Sequence, residues 1–317
     1  MLTLSKKSSF VLKAGVSLAF IVWLVYKVKW NDVGEIIRHV DGVYLLAYAF
    51  FVLFGMSISA KKWQIIARFK GFQRTTFACF RAYLTGTFIN NFLPGFIGGD
   101  MFRTYWLGKQ RNGYALALST VIFDRLSGLF AAAILAIVFS FAKFEIVVTS
   151  SIWTLCLVLL TIGIVGALFW GIIWKHLSDM PLVRVAVRMF PQKIQTFLGE
   201  VKHYFQKDIA VKTIVLSFAF NLIGVGVANL LLFQAFGQHI AIIHFFAVIF
   251  LVNIIASIPL SVNNIGIKEW AYFTFFPLIA ISPEVAITVA ITGRFIQMLL
   301  SFFAFPDFLK RKQLGLQ

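Results

Sequence analysis

The 317-residue sequence is 60% hydrophobic and 13% charged, with a mean hydropathy of +0.88, where an ordinary soluble domain is about 45–50% apolar and about 25% charged. That excludes a soluble enzyme or binding module. No polar stretch is long enough to fold separately, so residues 1–317 are read as one membrane domain. The 29 Lys and Arg against 12 Asp and Glu give a net charge of +17. These cations flank apolar segments instead of lining a groove interleaved with aromatics, which points to topology and anionic lipid and away from nucleic acid.

In chain order, apolar windows of about 20 residues mark full spans at Phe10–Val28, Gly42–Ala60, Tyr114–Ala142, Val148–Trp174, Val211–Phe236 and Pro283–Phe305. The first is read as a retained span, because no small-residue cleavage site follows it. Two further apolar stretches, Thr76–Gly108 and Ile243–Ile281, are interrupted. The first breaks at Asn90-Asn91-Phe92-Leu93-Pro94-Gly95 and Gly98-Gly99-Asp100, the second at Pro259 through Asn263-Asn264-Ile265-Gly266. Helix cannot run smoothly through either. Amphipathic spacing at Trp30–Val40 and at Lys193–Lys207 predicts two helices lying on the membrane surface, the second inside a basic loop of about residues 175–210.

Cytoplasmic loops carry an excess of Lys and Arg. With the N-terminus inside, 20 cations fall inside, including the whole Lys61–Arg74 cluster, and Lys27, Lys29, Arg38 and Lys143 fall outside. The first broken stretch then begins and ends inside and the second begins and ends outside. A nine-residue arm from Asp100 to Gly108 cannot cross a core of about 30 Å at about 1.5 Å per residue. The expected fold is an all-α polytopic membrane protein with six full spans and two oppositely oriented re-entrant helical hairpins, inverted-repeat-like, with both termini cytoplasmic. Asp100 to Arg125 and Glu269 to Arg294 are both 25 residues apart, and both breaks contain Asn-Asn. Paired broken helices in corresponding halves point to a midplane site in transporters.

No catalytic or cofactor motif is present: there is no HExxH, P-loop or GxSxG, and Cys79 and Cys156 sit inside apolar runs. Neither a metal nor another cofactor is expected. The unusual chemistry is a set of ionisable residues within apolar sequence: Arg81, Asp100, Arg103, Asp124, Arg125, Lys268, Glu269 and Arg294. Charges at that depth need a partner or a wet cavity. Arg103 and Arg125, with Arg294, are read as the cations that engage an anionic head group. Asp100, Asp124 and Glu269 are read as gating or charge-pair members. Asp100 is equally suited to capping the helix after Gly98-Gly99, and Glu269 with Arg294 to a structural pair. Lys268 and Arg81 are assigned snorkelling positions at an interface. Asn90, Asn91 and Asn264 either satisfy backbone freed at the breaks or touch substrate.

The run from Asn91-Phe92-Leu93-Pro94-Gly95 through Gly98-Gly99-Asp100 and Arg103, then Asp124-Arg125, then Pro259, Gly266 and Glu269, resembles the flippase-like transmembrane region of lysylphosphatidylglycerol synthases and their stand-alone relatives. Nearly the whole chain is covered. Where relatives carry a Gly-Gly-x-Gly stretch before the glutamate, this chain has Asn263-Asn264-Ile265-Gly266. The resemblance implies two re-entrant hairpins and translocation of lipid between leaflets. Fused members carry a soluble aminoacyl transferase domain after this region, so no synthase activity is expected of this chain. The expected partner is a membrane lipid with an anionic or polyisoprenyl-linked head group, in a plasma or inner membrane. Rival readings are a membrane transferase acting on a lipid phosphate, with Asp100 or Asp124 as base, and a scaffold whose basic loop meets a lipid-modifying enzyme. A homo-oligomer is compatible with either.

Overall fold

The computed structural model describes residues 30–92, 98–141, 207–258 and 261–306, with isolated positions between 15 and 28 and between 151 and 204. The described residues form helices and no strands. Short α1 (Trp30–Arg38) matches the expected amphipathic segment and precedes α2 (Gly42–Phe69). The first broken stretch becomes α3 (Thr76–Phe92) and α4 (Gly98–Gly108), followed by α5 (Tyr114–Phe141). After the undescribed region come α6 (Lys207–Ala219), a π-helical stretch Phe220–Val227 and α7 (Ala228–Ala235). The second broken stretch becomes α8 (Ile242–Ser257), a short turn and α9 (Ile267–Phe275), and α10 (Pro283–Ser301) ends the described fold.

Four helices among the described residues are long and apolar enough to cross a membrane: Gly42–Phe69, Tyr114–Phe141, Asp208–Ala235 and Pro283–Ala304. They coincide with four of the six expected spans. Of the span at Val148–Trp174 only residues 151, 154, 158 and 161 are described, all helical, and of the Lys193–Lys207 segment only Tyr204 and Lys207; Pro94, Gly95 and Pro259 lie outside the described residues. The first span is described only in part, and its described residues from 18 to 27 are helical.

One boundary differs from the sequence reading. The helix expected to stop at Ala60, before the lysines, continues to Phe69. It can do so because Lys62 is buried against a carboxylate instead of reaching solvent, while Lys61, about 100° round the helix, is exposed.

Both broken stretches fold back on themselves. Arms α3 and α4 touch where Gly86 meets Gly99: a Cβ on Gly99 would lie 2.8 Å from the carbonyl carbon of Gly86, so only a residue without a side chain lets the backbones meet. At the second break three of four consecutive residues have positive φ: Asn263 (47°), Asn264 (55°) and Gly266 (89°). Asn tolerates this region better than other residues with a side chain, which explains how Asn-Asn builds the turn. The largest buried cluster packs α7, α8, α9 and the 3-10 turn that follows it through Phe233, Phe245, Phe250, Tyr272 and Phe276.

Candidate functional site

Two charged centres and a cavity between them form the site. The first centre lies where α2, α3, α4 and α5 meet. Helical periodicity places Gly55, Ser59, Lys62, Trp63 and Ile66 on one buried face of α2, so Lys62 enters the interior. Its Nζ lies 3.2 Å from Asp124 Oδ1 and donates to the Asp124 carbonyl at 2.7 Å. Ser127 and Ser217 hydroxyls, at 3.4 and 3.3 Å, complete its shell. Arg103 Nη2 donates to Asp124 Oδ2 at 2.7 Å, and its Nη1 lies 3.5 Å from Asp100 Oδ1. The Tyr83 hydroxyl donates to the same Asp124 oxygen. Arg125 Nε is ion-paired with the outer oxygen of Asp100.

The guanidinium of Arg103 also sits in the corner of two nearly perpendicular aromatic rings, 4.2 Å from the Trp63 ring centre and 3.8 Å from that of Tyr83, cation–π contacts in a desolvated place. Trp63 is fixed in turn by donation to Thr120 Oγ1 at 3.1 Å. The centre therefore runs as a chain of alternating charge, Lys62, Asp124, Arg103, Asp100, Arg125, with one cation in excess. Burial falls along it: Asp124 and Arg103 are 3% and 5% exposed, Asp100 17% and Arg125 33%. Both Asp100 and Asp124 reach Arg103, so adjacent Asp124 and Arg125 on α5 serve different partners, as neighbours on a helix must.

The second centre closes the second break. Glu269 Oε2 accepts from the Gly266 N–H at 2.7 Å, capping α9, while Oε1 accepts from Arg294 Nε at 2.8 Å. Arg294 then donates to the carbonyls of Asn263 and Asn264 at 3.0 and 3.1 Å. One guanidinium thus holds the acid and the turn backbone together, which satisfies carbonyls that the positive-φ turn leaves outside helical hydrogen bonding.

The asparagines divide. Asn90 Oδ1 accepts from the Gly99 N–H at 2.7 Å across the first break, and Asn91 Nδ2 donates to Ser301 Oγ at 2.8 Å. Asn264 is buried, and its side-chain Oδ1 has no hydrogen-bond partner among the described residues. Gly98 opens α4. Arg81 is exposed with its guanidinium 5.9 Å from the Phe77 ring.

Between the two centres lies a cavity of about 320 Å³. Tyr83 borders it from the first broken stretch, Asn264 and Lys268 from the second, and Gln297 from α10. The π-helical stretch contributes Phe220, Gly224 and Val225 to its wall; wide π turns of this kind recur at functional sites. Lys268, assigned an interfacial position from the sequence, borders this interior space instead, with its ammonium 5.6 Å from the Tyr272 ring centre. Lys62, Tyr83 and Trp63 are the members that the sequence reading missed. For Lys62 the signal was present: the small and apolar face of α2 continues past the lysines with helical period. For Tyr83 and the cavity wall, nothing local marks the residues.

A family described as lysylphosphatidylglycerol synthase TM region matches residues 10–304. The chain belongs to that family. Its membrane character and its relation to lipid follow. No curated protein and no solved structure matches the chain. The family's span includes both broken stretches and both charged centres.

Proposed function

We propose that the chain moves an anionic or phosphate-containing lipid or glycolipid between leaflets, its head group passing through the cavity between the two broken stretches. The observation that carries this reading is the cavity itself. It joins the first broken stretch at Tyr83 to the second at Asn264 and Lys268, and none of the described residues lining it is acidic. In this reading the broken stretches are re-entrant hairpins inserted from opposite sides, within six full spans and with both termini cytoplasmic in a plasma or inner membrane. The short arms support it, since α4 has 11 residues and α9 has nine, or about 17 and 14 Å of helix.

The transferase alternative would use Asp100 or Asp124 as a base. The two do converge, but on Arg103, with Lys62 and Arg125 on their remaining oxygens. Carboxylates held in this way serve as counter-ions and not as proton acceptors, which supports transport over catalysis. The partner is membrane lipid, and no cofactor takes part.

The test is reconstitution of the purified chain in liposomes with fluorescent phosphatidylglycerol, using a membrane-impermeant quencher to read the outer-leaflet fraction over time. Vesicles with the protein should lose inner-leaflet fluorescence faster than empty ones. Equal rates across a series of anionic phospholipids and polyisoprenyl phosphates would remove the transport reading.

A further inference from the structure

We infer that the oxygen shell around Lys62 is a monovalent-cation site that the chain fills with its own ammonium, so that the first charged centre takes no free metal ion and lipid movement is not coupled to an alkali-cation gradient. The cation site stands on geometry alone, and the statement about coupling rests on the transport reading.

The shell is the first ground. Four oxygens surround Lys62 Nζ: the Asp124 carbonyl at 2.7 Å, Asp124 Oδ1 at 3.2 Å, Ser217 Oγ at 3.3 Å and Ser127 Oγ at 3.4 Å. An ammonium has three protons to donate, so the oxygens outnumber them. A carboxylate, a carbonyl and neutral oxygens are also the donors that hold hard cations in proteins. Spacing and charge select the ion. Every distance in the shell exceeds the calcium–oxygen range of about 2.3–2.6 Å and the magnesium–oxygen range of about 2.0–2.1 Å. The single carboxylate is also shared, since its other oxygen accepts from Arg103 Nη2 at 2.7 Å, and it cannot balance a divalent ion. The fit is to an ion of the size and charge of ammonium or potassium.

Position is the second ground. Lys62 stands on α2, Asp124 and Ser127 on α5 and Ser217 on α6, so one cation joins three of the four helices long enough to cross a membrane. Asn221 reinforces the same seam, donating to the Gly128 carbonyl at 3.1 Å and to the Ser217 carbonyl at 2.9 Å. Ser59, one helical turn before Lys62, and Phe220, one turn after Ser217, both line the cavity. The cation therefore sits just beyond one end of it. Transporters with broken helices hold coupling ions on backbone oxygens close to the substrate in this way. Lys62 supplies the charge that such an ion would bring, and its ammonium is 2% exposed and covalently tethered. It cannot dissociate with the substrate, so no ion gradient drives the cycle through this site.

The experiment removes the tether and supplies the cation. Lys62→Ala deletes Cγ, Cδ, Cε and Nζ, and propylammonium replaces those atoms one for one. Thermal unfolding of the full purified chain in detergent is followed in the chlorides of tetramethylammonium, sodium, potassium, ammonium and propylammonium at one ionic strength. In tetramethylammonium, which is bulky and has no N–H, Lys62→Ala should melt below the natural sequence. Ammonium, propylammonium and potassium should each restore it with saturation, by roughly a tenfold gain in the folded-to-unfolded ratio at about ten times Kd. Ser217→Ala added to Lys62→Ala should weaken that rescue. The natural sequence and Lys62→Met, whose apolar chain fills the shell, should respond to none of these cations. Rescue as strong in tetramethylammonium, or none by ammonium and potassium, overturns the site. If Lys62→Ala folds in no salt, the natural sequence and Lys62→Met decide, and a melting temperature of either that follows the identity of the cation overturns the site. In liposomes with no membrane potential imposed, the natural sequence should move fluorescent phosphatidylglycerol equally fast with sodium or potassium on either side or replaced by tetramethylammonium. A rate that follows either gradient overturns the uncoupling and leaves transport standing. Rescue of Lys62→Ala in a chain that moves no lipid leaves the cation site standing and removes the transport reading.

Discussion

The two broken stretches share a plan and differ in how much charge they bury. In each, an acid in the first turn of the helix after the break pairs with an arginine 25 residues on: Asp100 with Arg125, and Glu269 with Arg294. At the second break that pair is nearly the whole device, and its arginine is turned inward to clamp the backbone of the turn. At the first break the backbone is held by an amide instead, Asn90 on Gly99. Its acid–arginine pair is the outer end of a longer chain through Arg103 and Asp124 to Lys62. The difference separates two uses of interior charge. A lone pair tied to a turn fixes the shape of the backbone, whereas an alternating chain with an exposed end can exchange partners at that end without uncovering its buried members.

The strongest way to break this comparison is at Asp124, the carboxylate on which Lys62, Arg103 and Tyr83 converge. Asp124→Leu leaves two buried cations with one counter-ion fewer, so it should lower unfolding stability in mixed micelles by about 3–5 kcal/mol. A loss below 1 kcal/mol would show that the chain is not a buried unit.

Arg294→Met should come next, at about 2–3 kcal/mol, since it removes charge-assisted bonds to Glu269 and to two carbonyls. Its signature is local: hydrogen exchange should rise at residues 263–269 and stay unchanged at 98–104. A rise shared by both breaks would mean that the two centres are not independent. Gly99→Val presses a side chain into the Gly86 backbone and should cost about 1–3 kcal/mol, opening the α3–α4 crossing while sparing the second break.

The smallest stability effect is expected at Arg125, which is one-third exposed: Arg125→Gln should change stability by about 0–1 kcal/mol. Its effect on lipid movement should be the larger one, with Arg125→Lys intermediate because it keeps the charge and loses the planar fork. Wild-type translocation by both variants would make Arg125 only a structural pair member.

Much of this plan was legible before any coordinates. Apolar length predicts the four described spans to within a few residues, except at the α2 end, because a helix in lipid must be long and apolar whatever it packs against. The equal 25-residue spacings mark both acid–arginine pairs. The fate of Lys62 was not legible from charge counting, which treats every lysine near a span end as solvent-facing. Only its helical face, read together with Asp124 on a helix 62 residues away, shows that it is internal.

Sequence alone therefore determined that this chain is a helical membrane protein, where its helices break and most of the residues that carry its interior charge, Lys62 excepted, because these depend on local length, hydropathy and backbone chemistry. The tertiary structure decided which cations are neutralised, leaving Lys268 and the Asn264 amide at a cavity wall. Pairing is set by distances between segments far apart in the chain, and a desolvated charge is made stable or reactive by whether its partner is within a few ångströms.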